Sequence, residues 1–348
     1  MSKQSHIERT AHEPRDIALH TLTITRITQV SPSVRIVRLA IPQDDHVTFL
    51  PGQWVDFYPP PEAGVAKPGG FTITSPPSAA VPRAKHAPDP DPDPDPDRSH
   101  DPNHPLPPPL DHPDDEDEDA KEEEEDDDDE NGGYMELAVQ HSAHNAASAY
   151  LFRARGRLLG QRVRVRVGGS FVFPPALPPA PLASLRRAVF AAAAAAAGGG
   201  RWADLEVEVL YSAREPRGGE GEEAGVPDSG AVSGSSILFL ERVARLLRSG
   251  RVKGRLRLFL TGSASAAGGG HETERQGVVR CNGGADLVPF LRRRMTVGDV
   301  QEAVGADKEA AVVYICGVPR MTDDFVEALV SPEGFGMHRE RVLFEKWW

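Results

Sequence analysis

Cys316 and Gly317 close the apolar run Ala311-Val-Val-Tyr-Ile-Cys316, and a helix-like segment, Asp323 to Val330, follows. Open α/β sheets take ligands beyond the carboxyl ends of their strands, and a glycine there lets a ligand approach the backbone. Pro319 and Met321 complete the word Cys316-Gly-Val-Pro-Arg-Met321. A cysteine is also a common small core residue, so this thiol reads as a site group or as packing. Ser148 lies in Ala146-Ala-Ser-Ala-Tyr-Leu151, near the start of a short helix-like stretch. A hydroxyl and the orphan N–H groups of a helix start can hold an anion or simply cap the helix. The terminal Phe344, Glu345, Trp347 and Trp348 set flat rings beside a carboxylate, which suits stacking on a planar ligand or anchoring the chain. His141 and His144 have no second cluster at metal-ligand spacing, so no metal site is expected.

The elements that must position these groups change character along the chain. His20 to Val30 alternates polar with apolar and β-branched residues, as a half-buried strand does. Val34–Ile41, Phe49–Tyr58 and Gly69–Ser75 follow as short strands divided by Ser-Pro, Pro and Pro-Gly punctuation, and Tyr134–Gln140 and Gln161–Val167 resume the pattern. Such strands without a long helix predict an antiparallel barrel or sandwich. After the proline-rich linker ending at Pro181 the period changes. Strand-like Arg187–Phe190, Leu205–Tyr211, Arg255–Leu260 and Ala311–Cys316 are interleaved with helical spacing at Ile237–Leu247 and Asp323–Val330. That alternation predicts a parallel sheet with crossover helices. The expected architecture is a flexible N-terminus over 1–16, a β-barrel over 17–181 and an α/β domain over 182–348.

One stretch belongs to neither domain. The chain has 348 residues and a formal net charge of −13, yet residues 76–133 alone hold 22 acidic against 4 basic residues and 14 of the 32 prolines. The rest carries 30 acidic and 35 basic residues, so the folded body is mildly basic. Asp89 to Asp97 alternates Asp with Pro, and Asp114 to Glu130 is nearly all acidic. Repelling charge and proline preclude a packed core, and a disordered insert bulging from the barrel is expected, either as plain solvated loop or as a tract that attracts basic proteins. No run of 18 apolar residues is present, so no membrane-spanning helix is expected. Two cysteines, Cys281 and Cys316, exclude a disulfide framework. Met1 to His20 lacks the apolar segment of a secretory signal, and its Glu8, Glu13 and Asp16 do not suit a transit peptide, which fits a cytosolic protein.

In order along the chain, Pro51-Gly-Gln-Trp-Val-Asp-Phe57, Gly69-Gly-Phe-Thr-Ile-Thr-Ser75, Arg166-Val-Gly-Gly-Ser-Phe171, Cys316-Gly-Val-Pro-Arg-Met321 and Phe344-Glu-Lys-Trp-Trp348 resemble the ferredoxin-reductase-like flavoprotein superfamily. The resemblance spans Ile17 to Trp348, insert aside. It implies a barrel that holds FAD, an α/β domain that presents NAD(P)H, hydride passing from nicotinamide to flavin, and electrons passing onward to an unknown acceptor. It also implies a mitochondrial location and roles for particular residues; no nucleic-acid partner is expected. Thr72 takes the hydroxyl position near flavin N5 and Phe71 the aromatic position, and Ser75 at the end of that strand is counted with them as cofactor-binding. Ser148 faces the flavin phosphates, and Gly168 and Gly169 also belong to the cofactor-binding set. Cys316 and Gly317, with Pro319 and Met321, lie against the nicotinamide. Glu345, Trp347 and Trp348 pack near the flavin ring. Thr72 and Cys316 are thus the catalytic candidates.

Two departures stand out. Gly69 occupies the position of the superfamily's phosphate-binding arginine, which removes a charge-assisted contact and leaves Lys67 as a partial substitute. The Gly-Gly-x-Gly-Ile-x-Pro turn that opens the superfamily's nucleotide domain is replaced by seven alanines and Gly198-Gly-Gly200 between Phe190 and Leu205. That phosphate loop is missing, so impaired NAD(P)H binding is expected. The alternative is a non-catalytic descendant acting as a scaffold, with the insert binding basic partners by charge.

Overall fold

The computed structural model describes residues 5–82, 132–178, 182, 185–191, 205–216, 232–262 and 276–346. Six strands build the first sheet: β1 (His20–Ser31), β2 (Val34–Ala40), β3 (Trp54–Tyr58), β4 (Gly69–Thr72), β5 (Tyr134–Gln140) and β6 (Arg162–Gly168). Every ladder is antiparallel, in the order β4-β3-β6-β1-β2-β5. A single bridge between Ile73 and Leu137 joins the two edges and closes the barrel. The alternation seen in the sequence is the reason for closure. Leu22, Ile24, Val37, Leu39, Val55, Phe57, Leu137, Val163 and Val165 all point inward and form one core. Two short helices, α2 (Ala146–Leu151) and α3 (Arg155–Leu158), connect β5 to β6.

The second sheet has eight described strands: β7 (Arg187–Ala191), β8 (Glu206–Arg214), β9 (Val232–Ser233), β10 (Lys253–Thr261), β11 (Gln276–Cys281), β12 (Asp286–Leu291), β13 (Ala311–Gly317) and β14 (Val342–Lys346). Their order is β14-β13-β7-β8-β10-β12-β11-β9, parallel throughout except for the β11–β12 pair. Helices α4 (Leu240–Arg248), α5 (Val297–Val304) and α6 (Pro319–Val330) cover it. Val207, Leu258 and Tyr314 pack with Leu240 in one apolar layer, while Val189, Phe259 and Ile315 pack with Val300 and Leu329 in the other. Burial on both faces explains why these strands read as near-continuous apolar runs.

Three expectations are corrected. The N-terminus is packed from residue 5 onward rather than flexible. Helix α1 (His6–Arg9) carries a capping box between Ser5 and Glu8, and Arg15 bridges to Gly168. The physical reason is charge satisfaction: Asp56, fully buried on β3, is paired by His6 at 3.1 Å, Arg15 at 3.0 Å and Arg166 at 2.8 Å. The insert begins later than expected, because Pro77–Ala80 forms a 3₁₀ turn with Ala80 buried, and Gly133 packs on it. The disorder expected of the acidic run itself falls outside the described residues. The helix expected from Ile237 starts only at Leu240, because Phe239 takes a left-handed backbone with φ of 61°.

Candidate functional site

Barrel and sheet meet at an open cleft walled by Phe171, Phe173, Phe190, Phe239 and Tyr314, with Thr74, Ser75 and Arg242 at its polar edge. Its floor is fixed from both sides. Tyr314 stacks on Phe190 at 4.8 Å with ring planes 12° apart, and Phe171 meets it edge-on at 5.4 Å. The Tyr314 hydroxyl donates to the Val172 carbonyl at 2.9 Å, and burial pushes its pKa well up, so it stays protonated. Ser75 Oγ accepts the Glu136 N–H at 3.1 Å, and Thr74 Oγ1 donates to the Glu136 carbonyl at 3.2 Å. From α4, Arg242 donates to the Thr74 carbonyl at 3.3 Å and lies 3.5 Å from the Glu136 carboxylate, which Arg38 also pairs.

Just beyond Tyr314 on the same strand face, Cys316 lies opposite Glu345 in the β13–β14 register, with its Sγ 4.0 Å from the Glu345 carboxylate. Enclosure of the thiol, and then the Glu345 charge, push the Cys316 pKa well up and keep it neutral. Met321 covers Gly317, since a Cβ added there would meet its methyl carbon at 2.4 Å. Pro319 opens α6 in the first turn, where its missing N–H costs nothing. Cys316, Gly317, Pro319, Met321 and Glu345 therefore do come together at the carboxyl end of the sheet. Trp347 and Trp348 lie outside the described residues.

Of the barrel candidates Ser75 borders the cleft, and the others fall elsewhere. Phe71 points into the barrel core, edge-on to Phe57 at 5.7 Å, and Thr72 pairs across the ladder with Trp54. Gly168 and Gly169 are packed beneath Trp54: a Cβ on either would sit 2.7 Å from its ring. Ser148 is buried, donates to the Gln140 carbonyl at 2.7 Å and accepts the Ser142 N–H at 3.0 Å. The Asn145 side chain caps α2 by taking the N–H groups of Ala147 and Ser148, each at 3.1 Å. Among the described residues no group of His, Cys, Asp and Glu could hold a metal ion. Sequence reasoning missed Arg242, Phe239 and the Asp56 cluster. The only available signals were an arginine one helical turn into a predicted helix and an acid between aromatic strand residues.

The comparisons agree with this architecture. The chain matches a ferredoxin reductase in carbazole 1,9a-dioxygenase with a TM-score of 0.51 and 13% identity, over 95% of this chain and 70% of that one. The chain has the ferredoxin-reductase-like fold. Another structure of this fold, the CS-b5R domains of human Ncb5or in an NAD+ form, matches with a TM-score of 0.51 and 12% identity over 94% of this chain and 70% of that one. Along the sequence it is similar to oxidoreductase NAD-binding domain-containing protein 1, at 28% identity to the Xenopus laevis protein over 345 residues, 99% of this chain and 84% of that protein. The human protein of that name is 25% identical over 362 residues, covering 99% of this chain and 85% of the relative. No family model matches.

The flavin that the sequence resemblance implies can be set against the residues of this cleft. The residues present suit the ring end of a flavin in kind: a flat apolar wall with a polar edge. They suit its diphosphate poorly, because the Ser148 hydroxyl and the Ala147 and Ser148 N–H groups are already satisfied within the chain and Gly69 carries no charge.

Proposed function

We propose that this chain is a flavin-dependent NAD(P)H oxidoreductase that passes electrons on to a separate acceptor. The aromatic cleft between Ser75 on the barrel and Tyr314 on the sheet carries the reading, because it sets a flat ring site beside the carboxyl ends of parallel strands. A bound flavin would supply the chemistry, accepting hydride from the nicotinamide and releasing its electrons to the acceptor. The chain supplies placement. Tyr314, anchored to Val172, and Phe190 form a rigid wall that excludes water, while Thr74 and Ser75 border the polar edge. Cys316 stays an uncharged thiol on the nicotinamide side, with Glu345 holding its proton in place. Thr72 is the hydroxyl assigned to the flavin by likeness alone. A mitochondrial location belongs to the same reading.

Stopped-flow absorbance of the protein with added flavin, mixed with NADH or NADPH, tests it. Bleaching of the oxidised-flavin band is expected, saturating only at high nicotinamide concentration because the glycine phosphate turn is missing from the sequence. No bleaching with either cofactor would overturn it. The internally satisfied Ser148 and Asn145 favour a second reading, a non-catalytic scaffold whose acidic run draws basic partners. A folded protein that binds neither flavin nor nicotinamide is the result expected of that reading.

A further inference from the structure

We propose that the cleft holds a flavin by its ring alone, as an exchangeable ligand, so that riboflavin, FMN and FAD bind with equal strength. The inference rests on the flavin reading above and specifies how the ligand is held. A diphosphate needs cations or unpaired N–H donors to replace its water, and the described positions that the resemblance assigns to it, Gly69, Lys67, Ser148 and the start of α2, offer little of either. At position 69 the cation is absent and cannot be restored cheaply: a Cβ there would sit 2.8 Å from the Ala147 Cβ and 3.0 Å from the Phe71 ring. Strand β4 and helix α2 are therefore in direct contact where a side chain would have to pass. Helix α2 has only six residues, and its leading N–H groups go to Asn145. The Ser148 hydroxyl is doubly used, as donor to Gln140 and acceptor from Ser142. Lys67, just before β4, is an exposed cation 3.7 Å from the Glu8 carboxylate of α1.

The ring end has the opposite character. Phe171, Phe173, Phe190, Phe239 and Tyr314 offer aromatic surface, and the cation at its edge, Arg242, is committed to Thr74 and Glu136. Burial of a flat fused ring is common to all three flavins. What FMN and FAD add beyond it meets no free partner among the described residues that the resemblance assigns to the phosphates.

Isothermal titration calorimetry of the full-length chain with riboflavin, FMN, FAD and ADP separates the outcomes. Dissociation constants within threefold of one another for the three flavins, with no ADP binding, are expected. FAD binding tenfold or more tighter than riboflavin would overturn the inference while leaving the flavin reading standing. No binding of any flavin would overturn both. Asn145→Asp gives a second measurement, because aspartate preserves the helix cap and adds a negative charge at α2. The FAD-to-riboflavin affinity ratio should stay the same in this variant. A tenfold weakening confined to FAD would place the diphosphate at α2 and overturn the proposal.

Discussion

The hydroxyl of Tyr314, on the central part of β13, donates to the carbonyl of Val172, on the segment that leaves the barrel after β6. One hydrogen bond thus ties the parallel sheet to the barrel at the floor of the cleft, and Phe173 and Phe171 pack around it.

Tyr314→Phe should keep the ring stack and lose only that bond. A buried hydrogen bond contributes about 1 kcal/mol, and the orphaned carbonyl raises the cost toward about 2 kcal/mol. Chemical denaturation of the two proteins measures it. A loss of under about 0.3 kcal/mol would mean that the aromatic packing alone joins the domains there.

Asp56→Asn should destabilise by about 3 kcal/mol, because Arg15 and Arg166 would be left half-buried and without their anion. The pH dependence fixes the cause. Burial alone would raise the Asp56 pKa, but the contacts with His6, Arg166 and Arg15 outweigh it and hold the carboxyl below its ordinary range. A carboxyl whose pKa is lowered by folding stabilises above its unfolded value, about 3.9, and loses that contribution as pH falls through the lowered folded value. The stability gap between the two proteins should therefore be constant from neutral pH to about pH 5 and close in stronger acid. A gap that does not change with pH would show that the charge is not what holds α1 and Arg15 in place.

Much of this was legible beforehand and some was not, for identifiable reasons. Strands β5 and β6 are visible as alternation because one face of each is dry, and β13 as an apolar run because both are. The grouping at the end of β13 was legible because Cys316, Gly317, Pro319 and Met321 lie together in sequence, at the end of β13 and the start of α6, with Glu345 opposite Cys316 on the neighbouring strand. The β11–β12 hairpin was not, since Val278 and Leu287 face solvent and blur the pattern. Nor was the N-terminal packing, which depends on Asp56 being buried 41 residues away from Arg15, a fact no local window contains. Phe71 shows the limit of motif transfer: its position matches, while its ring belongs to the barrel core.

Thiol chemistry offers a further check. Burial, then Glu241 and Asp286, push the Cys281 pKa up to about 11, and Cys316 is raised still more clearly by enclosure and Glu345. At pH 8 only about one Cys281 in a thousand is a thiolate. The folded protein should react negligibly with an aromatic disulfide reagent at that pH and titrate two thiols in denaturant. One rapidly reacting thiol in the folded state would show that Cys316 is ionised, and would remove it as an uncharged neighbour of the nicotinamide.

Removing residues 83–131 should preserve the fold and raise stability by about 2 kcal/mol, the closure entropy returned when a loop shortens roughly tenfold. The stems already meet, since Gly133 packs against the Ala80 carbonyl and accepts the Ile41 N–H at 2.8 Å. A lower melting temperature in the deletion variant would instead mean that the acidic run packs on the folded body.

The strand order of the barrel also sets a timetable for synthesis. As the chain leaves the ribosome, β1 can pair with β2 and β3 with β4, but the far edge of β2 waits for β5 and the facing edges of β1 and β3 wait for β6. At about 5–20 residues per second, the interval from β4 to β5 lasts several seconds, with open edges that could pair with a neighbouring nascent chain. What emerges during that interval is the acidic run from Asp89 to Glu130. Chains carrying it at that moment repel one another, so the densest charge in the sequence appears when the half-made barrel is most prone to aggregate.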